Sequence, residues 1–137
     1  MEVELYGKAE RPSAVVIRAS TAIPDGIHFI TPDDYSQQLG AMKRPAGYLV
    51  PAHRHNIVER SISITQEVLL LRSGVCEVKL FDESNQVYAR IELHQGDLIL
   101  LALGGHQIEM LTDCELLEVK QGPYAGENDK TIFGKKG

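Results

Sequence analysis

The sequence predicts an all-β protein, and three observations carry that prediction. Apolar residues recur mostly at a spacing of two, no stretch keeps helical spacing for a convincing length, and the strand-like segments are short and bounded by turn residues. Many short strands at close intervals point to a sandwich or barrel rather than to an α/β sheet.

Taken in order, the stretch up to Pro24 adds an edge strand, with strand pattern over residues 14–18. Residues 27–30 and 39–43 come next, the former after a Pro-Asp-Gly turn, and then residues 46–51 and 58–64. Residues 67–72 form the next segment, closed by the Ser73-Gly74 turn. In residues 75–81, Cys76, Val78 and Leu80 share one face while Glu77 and Lys79 take the other. The turn DESNQ leads into residues 87–93, where Val87, Ala89, Ile91 and Leu93 alternate with Tyr88, Arg90, Glu92 and then His94. Residues 98–102, 106–110 and 115–120 complete the set. The tail 121–137 is polar and Gly-rich apart from Tyr124, Ile132 and Phe133, which are positioned to dock it on the barrel or on a partner subunit.

A chain of 137 residues suits one domain with one core, here 1–137. Apolar residues at 43% and charged residues at 24% match an ordinary soluble globular composition, so the chain is expected to fold on its own. The formal net charge of −5, with basic residues scattered apart from Lys135 and Lys136, argues against nucleic acid as a partner. The opening MEVELYGKAER lacks the apolar run of a signal peptide, and the run from Leu98 to Leu103 is far too short to cross a bilayer. The expectation is a cytoplasmic protein without membrane contact. Cys76 and Cys114 sit in strand patterns with no CxxC spacing and read as buried free thiols.

Five histidines are the candidates for chemistry. If GYLVPAHRHN is extended, His53 and His55 lie on one face, about 6.5 to 7 Å apart along the backbone. At that spacing two imidazoles can share one ion at a metal–nitrogen distance of about 2.0 to 2.1 Å. The same pair reads equally as a surface pair or as two histidines satisfied by backbone groups, so further ligands are required. His106, in GGHQIEM, shares a face with Ile108 and Met110 and is expected to point inward. His94 belongs to a polar face and His28 has no partner nearby in sequence, so neither enters the site. Arg54, between the two histidines, faces the other way.

These residues resemble the cupins, small jelly-roll barrels also described as double-stranded β-helices. The first cupin motif reads G, five residues, HxH, three or four residues, E, six residues, G. Gly47, YLVPA, His53, Arg54 and His55 match its first half, and Glu67, VLLLRS and Gly74 match its end. The spacer departs from the pattern, because NIVERSISITQ separates His55 from Glu67. Glu59 has the family gap after His55 but finds Gln66 where the glycine belongs. Glu67 is preferred, because Leu69 and Leu71 share its face, whereas Glu59 lies with Ser61 and Ser63. Gly96, DLILL, Ala102, Leu103, Gly104, Gly105 and His106 resemble the second motif, with alanine in place of proline, one residue missing before the histidine and Met110 at the asparagine position.

The resemblance spans Gly47 to Met110, within a motif-bearing core of 47–120, and EVKQGPY is like the last barrel strand of small cupins. It implies a divalent transition metal (zinc, iron, manganese or nickel) held by His53, His55, Glu67 and His106, with Glu59 as the alternative carboxylate. It also implies a homodimer. Three functions follow: metal-dependent chemistry, as in an oxygenase or isomerase, on a small polar metabolite such as a sugar or keto acid; a small-ligand-binding module without turnover; or a metal-free sugar-nucleotide isomerase or epimerase relative with a barrel histidine as general base.

Overall fold

The computed structural model describes residues 1–134, so Lys135, Lys136 and Gly137 lie outside it. Ten strands follow in order: β1 (Glu4–Lys8), β2 (Arg11–Ile17), β3 (Gly26–Phe29), β4 (Gly40–Lys43), β5 (Glu67–Ser73), β6 (Cys76–Phe81), β7 (Val87–Leu93), β8 (Leu98–Leu101), β9 (Gly105–Met110) and β10 (Glu115–Lys120). A single 3-10 turn at Gly126–Asp129 is the sole helical element among the described residues, and none is long and apolar enough to cross a membrane. Every strand pairing is antiparallel. The strands form a five-stranded sheet in the order β1-β2-β8-β5-β10, a three-stranded sheet β7-β6-β9 and a β3-β4 hairpin pair, and among the described residues these do not close into a barrel.

The central strands of the larger sheet are apolar on both faces because both are covered. Ala14, Val16, Ile99 and Leu101 face one cluster, which includes Cys76, Val78, Leu80, Ile91 and Leu93 of the three-stranded sheet. Val15 and Leu100 face the opposite way, onto Tyr35 and Leu39. A strand buried on both sides reads as a continuous apolar run, as in AVVI and LILL, whereas β6 and β7, with one wet face, alternate.

The turn before β8 is tied by a carboxylate. Asp97, 4% exposed, accepts hydrogen bonds from the backbone N–H groups of Ala19 and His94 and from Arg18 Nη1, each at 2.8 to 2.9 Å. Arg18 also pairs with Glu4, joining β1 and β2 to this turn. At the β5–β6 connection Gly74 adopts φ +88, and a Cβ there would come within 2.2 Å of the Asp113 carbonyl oxygen, so only glycine fits.

Two expected strands, residues 46–51 and 58–64, are not formed. Between β4 and β5 the chain is irregular, and residues 44–65 are all exposed, with Gln66 buried at the entry to β5. Alternation provides a dry face but not a ladder partner, and a lone strand does not persist without one. Pro45 and Pro51 remove backbone donors, and Gly47 adopts φ +86, which breaks the extended run. The tail does reach the sheet: Phe133 meets Phe81 edge-on at 5.1 Å between ring centroids and lies over Gly105. Ile132 stays exposed, and Tyr124 takes the Lys120 ammonium 5.6 Å above its ring. Both thiols are free, with Cys76 buried and Cys114 half-buried.

Candidate functional site

Three strands meet at one open end of the core between the two larger sheets. In β5, Glu67 shares a face with Leu69 and Leu71, both of which belong to that core. In β9, His106 shares a face with Ile108, which packs against the same core from the other sheet. The sheets thereby aim a carboxylate and an imidazole at each other, and His106 Nε2 lies 2.8 Å from Glu67 Oε1. The His106 side chain is 33% exposed and that of Glu67 15%, so the pair sits at the rim and the imidazole is its solvent-facing member.

β10 adds a second carboxylate. Lys120 is registered opposite Glu67 and Glu118 opposite Leu69, which places Glu118 diagonally beside Glu67 on the same face. The hydrogen bond from His106 holds the Glu67 carboxyl below the usual carboxylate range against the opposing effect of burial, and a bond from Glu118 acts in the same direction. Glu118 shifts upward, first because its hydrogen bond to Glu67 requires it to keep the proton, then through burial. Below its raised pKa, Glu118 completes a relay in which its O–H donates to the Glu67 carboxylate, which also accepts Nε2–H of His106. Lys120 stands 3.4 Å from Asp129 and 3.9 Å from Glu118, bounding the site with positive charge.

The relay has a pH signature. A carboxyl whose folded pKa is raised adds stability below its unfolded value, and that contribution is lost as pH rises through the folded value. Glu118→Gln keeps a donor toward Glu67 at every pH. The variant and the parent are therefore expected to melt alike near pH 4, with the variant more stable by about 0.5 kcal/mol near pH 8, the modest size expected for a half-exposed group. Equal differences at the two pH values in thermal melts would count against the shared proton.

The remaining predicted residues lie elsewhere. His53 and His55 are exposed on the irregular segment rather than on a strand; their rings stand edge-on with centroids 5.3 Å apart, and His53 Nδ1 is 2.8 Å from the Pro51 carbonyl oxygen. Glu59 is exposed on the same segment. Among the described residues, no three His, Cys, Asp or Glu side chains stand close enough together to hold a metal ion. One chain therefore supplies the donor types expected of the metal set but splits them into two pairs. His94 faces solvent with Nε2 2.8 Å from Glu92, and His28 Nε2 lies 3.1 Å from the Asp25 carbonyl oxygen.

Glu118 is the site residue that sequence reasoning missed. Its signal is the alternation in ELLEVK, which sets Glu118 and Lys120 on the face of Leu116, itself packed against the core. Beside His106 a groove of about 710 Å³ opens, lined by Phe81, Gly104, Gly105, Lys130, Ile132 and Phe133. No protein-family model, curated protein or solved structure matches the chain.

Proposed function

We propose that the protein is a cupin-like jelly roll that performs acid–base chemistry on a small polar metabolite, with His106 as the proton-transferring group. The observation that supports this reading is the 2.8 Å contact between His106 and Glu67 across the two sheets. With Nε2–H donated to Glu67, a neutral His106 keeps its lone pair on Nδ1 and can take a proton from carbon next to a carbonyl, the electron pair moving to the carbonyl oxygen. Glu67 fixes the tautomer and stabilises the imidazolium that forms, and Glu118 keeps Glu67 oriented. The neighbouring groove has the size of a small-ligand site, and its two phenylalanines and Lys130 suit a ring or chain bearing an anionic group, such as a keto acid or a sugar nucleotide.

Solvent-deuterium incorporation into a panel of 2-keto acids and nucleoside-diphosphate keto sugars, read by proton NMR, tests this. The wild type is expected to exchange the proton next to the carbonyl in at least one of them. His106→Ala should slow exchange by about 10²- to 10⁴-fold, while His94→Ala leaves it unchanged. Exchange that survives His106→Ala, or none across the panel, overturns the reading.

A metal-dependent reading stands second, favoured by the proximity of the His53 and His55 rings. Glu67 and His106 would complete the ligand set, and a divalent first-row ion would polarise a ligand carbonyl. It predicts about one cobalt(II) per chain by absorption titration, lost in His53→Ala.

A further inference from the structure

Two features of the fold are each incomplete. β10 ends the five-stranded sheet, and five of its six residues are exposed. Leu117 and Val119 lie on its outer face, 51% and 59% exposed, beside half-buried Val68 and Leu70. A six-residue edge with apolar side chains is a template for another strand, and such edges are normally covered or blunted. The second feature is the segment 44–65, longer than structureless loops usually are inside a compact domain. It exposes Leu49, Val50, Ile57, Val58, Ile62 and Ile64, and among the described residues none from 49 to 59 hydrogen-bonds to either sheet.

We infer that the segment 44–65 is an exchange arm, anchored at buried Gln66, that adds to the β10 edge of a second copy of this chain. Size and charge favour a second copy. A standard interface takes roughly 20 to 30 residues from each side, and this segment alone supplies that many. The arm carries Arg44, Arg54 and Arg60 against the single Glu59, in a chain of net charge −5. The edge it would meet carries Glu115 and Glu118 against Lys120, so a net-basic arm meets a net-acidic strand. Pro51 is tolerated there, because an added outermost strand has one side without ladder bonds. By two-fold symmetry each copy gives one arm and receives one, which closes the assembly at two. The arm also carries His53 and His55 to the neighbour's β10, the strand that sets Glu118 beside Glu67, so the two histidine-bearing halves meet only between copies.

Sedimentation equilibrium with amide hydrogen exchange tests the inference without a substrate. The wild type is expected to weigh twice its 15.2 kDa chain mass. Ile57→Asp/Val58→Asp on the arm and Leu117→Lys/Val119→Lys on the edge should each give a folded monomer. All four positions are exposed, so the core is untouched, and circular dichroism reports folding directly. Outward-facing amides of β10 should exchange at least tenfold faster in both variants than in the wild type. A wild-type monomer overturns the inference, including one with a protected β10 edge, which would mean that the arm closes on its own chain. A dimer that survives both double substitutions overturns it equally.

Discussion

Asp97→Ala is expected to destabilise the protein by roughly 3 kcal/mol, because the backbone N–H groups of Ala19 and His94 lose a buried carboxylate acceptor and each orphaned donor costs about 1 to 3 kcal/mol. Arg18 loses one of its two carboxylates but keeps Glu4, so its loss is smaller. Asp97→Asn, which retains one acceptor, should recover about half the deficit. Urea unfolding at pH 7 measures both, and a cost for alanine below about 1 kcal/mol would show that water replaces the carboxylate. Burial alone would raise the Asp97 pKa, yet the His94 and Ala19 N–H bonds and the Arg18 guanidinium hold it below the usual aspartate value. Its contribution is thus complete above the unfolded carboxylate pKa and lost as pH falls through the folded one. The alanine variant should show a flatter acid limb.

Leu71→Ala is the second large effect. Leu71 has no exposed surface and sits in the core between the five- and three-stranded sheets. Truncation removes transfer free energy and leaves a cavity, costing about 2 to 5 kcal/mol. For a chain of this length that lowers the melting temperature by about 10 °C. Leu117→Ala, on an exposed position of the neighbouring strand, should change the stability of the monomeric fold by less than about 0.5 kcal/mol. If the two substitutions cost the same, the sandwich interior is not where the stability resides.

Strands with one wet face were legible in most positions, although Val87 and Met110, expected on apolar faces, are exposed. Cys76, Val78 and Leu80 in β6, and Ile91 and Leu93 in β7, are all buried, and the intervening charged residues are not. The direction of Glu67 was legible for the same reason, since Leu69 and Leu71 fix the face of β5. The segment carrying His53 and His55 shows the opposite. It looks apolar and extended, but such a pattern says nothing about whether a neighbouring strand arrives to pair with it. Glu118 was overlooked because a glutamate near a chain's last strand reads as solvated until the strand opposite is known to present another carboxylate.

By itself the sequence determined the all-β class, most strand positions, most of the faces they bury and the inward aim of Glu67, because side-chain alternation is a local property of extended backbone. Only the tertiary structure decided that Glu67 meets His106 and lies beside Glu118, that residues 44–65 form no strand and stay exposed, and that β10 ends its sheet with no further strand beside it among the described residues. Those outcomes depend on which strands become neighbours, a matter of contacts between residues far apart in the chain, and no local pattern encodes them.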